Sequence, residues 1–193
     1  MKFKFPGHEK GKVKNGLPEG WERRKVKEVI ATVSKKKKIP KELYEEEGII
    51  PCVDQSQVFI GGYTNDLDAK ISNPLPLIVF GDHTRVLKFI NFEFASGADG
   101  TQLIIPDYSS NLSVEYLYIA LCSIDLSNYF YSRHLKFLKE EVIIKPSTFC
   151  VESFTEIISP IFNQIKTLTH QTQKLQEARN ILLPKLMSGK IAV

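Results

Sequence analysis

Apolar residues along the chain follow two rhythms: short runs over residues 50–105, and a seven-residue repeat after residue 157. The short runs are strand-like. "IIPCVDQSQVFI" predicts one or two strands. "LIVF" and "RVLKFINFEFA" flank four turn-prone residues, Gly81, Asp82, His83 and Thr84, which is a hairpin signal in which Gly81 permits the turn. Gly97 and Gly100 in "SGADG" predict a second tight turn before the strand "TQLIIP", and "VIIK" predicts a last strand. "SKKKKIPKELYEEEG" and "GGYTNDLDAKISNPLP" are loops by their turn-forming content. Near the start, a Pro-Glu-Gly turn delivers Trp21, and Val26, Val29 and Ile30 mark a short amphipathic segment. "LSVEYLYIALCSID" predicts a helix, with Ser113 as its cap, Glu115 at the positive end of its dipole, and Val114, Leu117, Tyr118 and Leu121 on one face.

The final segment differs in kind. Ser159 as N-cap and Pro160 at the first helical position predict a helix that nothing breaks until Pro184. Ile161, Leu168, Leu175 and Leu182 recur every seven residues, with Ile158, Ile165, Thr172, Arg179 and Leu186 as companions, so the spacing is that of a coiled-coil seam. Over residues 160–183 such a helix is ~36 Å long. A long helix is marginal in water unless its apolar stripe is covered. Either a partner helix covers this one, or it packs back on its own domain. Thr172 and Arg179, polar within the seam, would set register and orientation at some cost in stability. The expected organisation is a leader over residues 1–16, a globular α+β domain, β-rich with a few helices, over 17–156, and a long coiled-coil-type helix over 157–193.

Composition narrows the choice of class. With 42% hydrophobic residues, 12 Phe and 7 Tyr among 193 residues, the chain is able to build a core. Cys52, Cys122 and Cys150 are odd in number and scattered without a CxxC pair, so a disulfide framework or zinc knuckle is not expected and a reducing, cytoplasmic setting fits. No apolar run approaches the ~18 residues of a membrane span. The net charge of +4 is unevenly spread. Residues 1–38 hold 13 Lys/Arg against 4 acids, and residues 157–193 hold 5 against 1, while the middle is acidic with 8 against 17. Two basic ends suit a polyanion touched at selected places, or form an ordinary solvated surface.

"VFGDHTRVLKF", residues 79–89, is the stretch that invites a chemical reading, because Asp82 and His83 stand together. Metal sites need three or four converging ligands. Besides His83 the chain has only His8, His134 and His170, with no HxH, HExxH or HxE spacing. No GxSxG elbow or Walker A motif occurs. Pro106-Asp107 lacks the downstream lysine of a PD…(D/E)xK nuclease, and "NPLP" lacks the aromatic of an amino-methyltransferase motif. A binding loop fits better. His83, Thr84 and Arg85 at a hairpin tip offer donors and acceptors for base edges and phosphates, with Lys88 on the emerging strand. "SRHLKFLK" adds Arg133, His134, Lys136 and Lys139, of which Arg133, Lys136 and Lys139 lie close to helical spacing.

Several stretches together resemble one known family. "LPEGWERRKVKEV", "VFGDHTRVLKFINFEFASGADGTQLIIP" and "YLYIALCSIDLSNYFYSRHLKFL" resemble a target-recognition domain of the DNA-specificity subunits of type I restriction-modification systems. "LTHQTQKLQEARNILLPKLMSGKI" resembles that family's spacer helix. Subunits of the family usually alternate two recognition domains with two spacer helices, whereas this chain has one of each and looks like a half-subunit, or half of a longer polypeptide. The resemblance implies double-stranded DNA as ligand, and methyltransferase and restriction/translocase subunits docked on the helix. It also implies a homodimer through antiparallel helices, reading a bipartite site. S-adenosylmethionine, ATP and Mg are expected on the partner subunits and no cofactor on this chain, which would select the site while others methylate or cut. The alternatives are a coiled-coil interaction module without DNA binding and a hydrolase using Asp82 and His83.

Overall fold

The computed structural model describes residues 13–14, 16–34, 36–98, 100–129 and 133–190. The leader expected over residues 1–16 lies almost wholly outside them. In chain order the elements are β1 (Val13–Lys14), β2 (Leu17–Pro18), β3 (Glu22–Lys25), β4 (Ile30–Thr32), β5 (Ile50–Val53), β6 (Gly62–Thr64), β7 (Lys70–Ile71), β8 (Leu77–Gly81), β9 (Leu87–Ile90), β10 (Phe94–Ser96) and β11 (Thr101–Pro106). They continue with α1 (Val114–Cys122), α2 (Leu135–Glu140), β12 (Val142–Lys145) and α3 (Thr148–Met187). The chain divides into two compact units, Met1–Glu156 and Ile157–Val193.

Two four-stranded sheets build the first unit, one ordered β4-β11-β8-β9 and the other β6-β5-β10-β7. β8 explains the layering. All five of its residues are buried, because a strand covered on both faces needs no polar side. Ile78 and Phe80 pack with Leu117 and Leu121 of α1 and Leu138 of α2. Leu77 and Val79 face the other way, toward Val53, Ile71 and Phe94 of the second sheet. Burying each such side chain contributes ~1.5–3 kcal/mol. The predicted hairpin is present, with β8 and β9 antiparallel and Leu77 opposite Ile90. The apolar run after it splits. β9 stays in the first sheet, and β10 enters the second, parallel to β5.

Val26, Val29 and Ile30 are buried as expected, but in a strand, 3-10 turn and strand, with β3 paired to β12 and β4 to β11. The Ser113 hydroxyl caps α1 by accepting the Tyr116 N–H at 3.1 Å. α3 starts twelve residues earlier than Ser159 and Pro160 predict, and it runs through both Pro160 and Pro184. Each proline removes one i→i−4 hydrogen bond, a loss a long helix survives when its neighbouring turns are intact. The upstream turns are held within the first unit. Val151 is buried, Phe154 meets the Tyr116 ring edge-on at 5.7 Å, and the Thr155 hydroxyl donates to Ser113 Oγ at 2.7 Å.

In the second unit the seam residues stand in water. Ile161, Ile165, Leu168, Leu175, Leu182 and Leu186 are 41–71% exposed, Ile158 is half-buried, and Thr172 and Arg179 are exposed. Thr172 Oγ1 donates back to Leu168 O at 2.8 Å, and Arg179 donates to its neighbour Asn180. No helix among the described residues is long and apolar enough to cross a membrane.

Candidate nucleic-acid interface

The tip of the β8–β9 hairpin is where the polar residues collect. Asp82 is buried and turned inward. Its carboxylate accepts the Leu135 N–H at 2.7 Å in the first turn of α2, and its carbonyl accepts the His134 N–H at 2.9 Å. His134 is itself only 4% exposed, with Nδ1 2.8 Å from Asp82 O and Nε2 3.1 Å from Tyr129 O. His134 therefore ties the tip to the segment before α2. A DNA-contacting role for it is withdrawn, because both ring nitrogens already face backbone carbonyls inside the fold. The same geometry bears on the hydrolase reading, since the buried Asp82 carboxylate is engaged in holding the Leu135 backbone. Among the described residues no group of three or more His, Cys, Asp or Glu converges on a point.

His83, Thr84 and Arg85 are exposed at the tip. The tip leans on residue 55, which sequence reasoning missed. Gln55 Oε1 accepts the His83 N–H at 3.1 Å, and Gln55 O accepts the Thr84 hydroxyl at 2.5 Å. On its other flank the Arg85 guanidinium donates from Nη1 to Leu126 O at 2.9 Å. Gly81 permits the turn by leaving room, since a Cβ there would collide with Thr84 Oγ1, and the left-handed residue of the turn is Arg85, with φ of 63°. That conformation costs a non-glycine residue ~1–2 kcal/mol. An arginine placed where the backbone favours glycine points to work for the side chain. Arg85 also helps hold the Asp125 carboxyl below its usual range, after the larger effect of hydrogen bonds from Ser127.

Lys88, expected at the DNA surface, is instead buried. It is 3% exposed, and its ammonium donates to Asp54 O at 2.8 Å and Val58 O at 2.6 Å, with Asp54 Oδ1 3.8 Å away. Burial lowers its pKa and the Asp54 charge only partly restores it. Alternation along β9 turns Lys88 inward, where it staples the loop of residues 54–59 beneath the tip instead of meeting a phosphate. Two glycines let that loop close in. A Cβ on Gly97 would lie 2.5 Å from Asp54 Cβ, and one on Gly100 would collide with the Gln55 amide and the His83 ring. The 54–59 loop, the hairpin tip and the two glycines Gly97 and Gly100 thus pack closely together.

The second basic cluster is partly as expected. Arg133 and Lys136 are exposed and Lys139 is half-buried on the six-residue α2. Nearby, Lys25 and Lys27 both bind Glu140, at 2.9 and 2.8 Å, and hold its carboxyl down to about 2. Lys37 is paired with Asp66 at 2.6 Å, and Arg24 with Glu28 at 3.4 Å. Arg24, Lys25, Lys27 and Lys37 are thus engaged in ion pairs, and the exposed Arg133 and Lys136 flank His134 and Leu135, which are bonded to Asp82 of the hairpin.

A β-rich head of this topology followed by a long helix is the fold of the specificity subunits of type I restriction-modification systems. The S subunit of the M. genitalium type I system matches with a TM-score of 0.64 at 18% identity, covering 92% of this chain and 48% of that one. A chain from a type I R-M system solved for its complex assembly and conformational transition matches at 0.52 and 16% identity, with the same coverage. In sequence, the chain is 24% identical over 201 residues to the type I restriction enzyme MjaIX specificity subunit of Methanocaldococcus jannaschii, covering 92% of this chain and 46% of that protein. No family profile matches the chain. It spans about half the length of the relatives it matches.

Proposed function

We propose that this chain is the sequence-reading component of a type I restriction-modification complex and recognises one half of a bipartite DNA site. The reading is carried by the likeness to the M. genitalium S subunit, which extends through both the head and the helix. In support of it, the head presents exposed His83, Thr84 and Arg85 on a tip braced from two sides, with exposed Arg133 and Lys136 nearby. Phosphate contacts from the basic residues would position the duplex, and the tip would read base edges. The helix would pair its apolar seam with a second copy, antiparallel, and offer its flanks to methyltransferase and restriction/translocase subunits. Two identical heads at the ends of a helical pair would select two inverted half-sites with an unread spacer. S-adenosylmethionine, ATP and Mg would belong to the partner subunits, and the complex would work in the cytoplasm.

Methylation profiling of a host genome with and without the gene tests this. A bipartite motif that vanishes on deletion is expected, with symmetric halves if two copies supply both heads. An unchanged methylation pattern would refute the function, and an asymmetric motif would refute the homodimer.

A further inference from the structure

The loop of residues 54–59 has the features of a reading element in its own right. It carries "QSQVF" at 55–59, five residues without a formal charge, yet it sits against the hairpin tip through both Gln55 hydrogen bonds. Its backbone is held from below. Lys88 binds the carbonyls of Asp54 and Val58, Asp54 Oδ1 accepts the Ser56 N–H at 2.8 Å, and the Phe59 ring is anchored 5.9 Å from that of Phe92. Burying an ammonium to fix the two ends of a short loop is costly, and what the expense leaves most open at the surface is Gln57 and Val58, beside a Phe59 that is 39% exposed. Gln57 is exposed, and Val58 is 63% exposed although it is apolar. A pinned backbone presenting an amide next to a branched aliphatic side chain matches one base pair. A glutamine amide donates to and accepts from adenine N7 and N6, and an apolar side chain covers the thymine methyl in the same groove.

We propose that residues 55–58 form a second sequence-reading loop, in which Gln57 and Val58 recognise an A·T base pair in the major groove beside the pair met by the hairpin tip. Lys88 is the positioning residue for this loop and touches no DNA. The inference rests on the DNA-reading function proposed above. Because the loop is uncharged, its contribution is to sequence choice and leaves the salt dependence of binding unaltered, since only neutralised phosphates release counterions.

The test selects from a randomised duplex pool with the full chain, as wild type and as Gln57→Ala/Val58→Ala, both checked for an unchanged melting temperature. Wild type is expected to select a motif containing an A·T pair that the variant no longer requires. The variant should bind that motif about 5- to 150-fold more weakly, with the same salt slope and the same affinity for unselected DNA. Should the double variant melt early, Gln57→Glu is used in its place, and it should reject adenine in favour of cytosine. A variant that selects the wild-type motif with wild-type affinity overturns the loop assignment and leaves the DNA-reading function standing. Wild type selecting no motif at all overturns both.

Discussion

Replacing Lys88 by methionine separates a buried staple from a DNA contact. Methionine keeps most of the aliphatic stem but removes the ammonium from Asp54 O and Val58 O, and from its place 3.8 Å from the Asp54 carboxylate. Leaving a buried carbonyl unpaired costs ~1–3 kcal/mol. Breaking a buried pair by removing one partner costs ~3–5 kcal/mol. These effects overlap, and the partly exposed Val58 carbonyl is able to recruit water, so the sum is set at ~3–5 kcal/mol. For a chain of this size each kcal/mol lowers the melting temperature by ~2–4 °C, which predicts a fall of ~6–20 °C by calorimetry. The alkaline limb gives a second signature. Burial holds the Lys88 ammonium below its ordinary 10.5, so between the folded and unfolded values the unfolded chain binds more protons and wild-type stability rises with pH. Lys88→Met lacks that rise, and the difference between the two proteins should widen as pH approaches 10.5. Tyr116 and Tyr118, pushed up to about 12 by burial, act in the opposite sense in both proteins and cancel in the difference. A variant within 0.5 kcal/mol of wild type, with weakened binding to all DNA, would return Lys88 to the surface and refute the staple.

Three other outcomes are expected. Lys136→Ala, removing an exposed cation, should weaken binding to every sequence and reduce the slope of log K against log salt by ~0.9, as for one lost phosphate contact in a salt titration. Arg85→Gly should leave stability within ~1 kcal/mol, because relief of the left-handed backbone offsets the lost bond to Leu126 O. Randomised-site selection should then show relaxed choice at one base pair. An unchanged motif would mean that the guanidinium only holds the 123–128 loop. Leu168→Asp/Leu175→Asp should convert a dimer to a lone 22.0 kDa species in analytical ultracentrifugation without melting the head.

The hairpin, the cap of α1, the strand "VIIK" and the existence of a long last helix were legible because each is written locally, in turn residues, a capping serine, or the period of the apolar positions. What escaped was set by contacts distant in sequence. Lys88 looked like an ordinary lysine at the mouth of a hairpin, and only the loop 30 residues upstream explains its burial. His134 sits in a basic run, yet its bond partner Asp82 is 52 residues away. Gln55 carries no local signal at all, and the one hint was the pair Gly97 and Gly100, read as turn formers when their task is also close approach. Pro160 misled for a different reason. Proline at the first helical position and proline tolerated inside a long helix are identical in sequence, and the packing of Val151 and Phe154 decides between them.

The seam prediction rests on symmetry as well as exposure. Its residues run from Ile158 to Leu186, so an antiparallel pair with full overlap has its twofold axis at Thr172. Leu168 of each helix then lies near Leu175 of the other, on both sides of that axis, and Ile165 faces Arg179. The centre of the seam is thus polar, and its nearest neighbours are four leucines that are 55% and 71% exposed in the single chain. Burying them contributes ~1.5–3 kcal/mol each. Their loss alone would weaken a dimer by at least ~10⁴-fold, before counting the aspartates brought together. The double variant would break a parallel pair as well, so the register is read from the single variants. A parallel pair would set Leu168 against Leu168 and Leu175 against Leu175, so its two contacts would be independent. The single variants decide between these arrangements in a double-mutant cycle. Strong coupling between Leu168→Asp and Leu175→Asp is expected for antiparallel helices, additive effects would assign the parallel pair, and a wild-type chain that sediments as a monomer at micromolar concentration would remove the self-pair altogether.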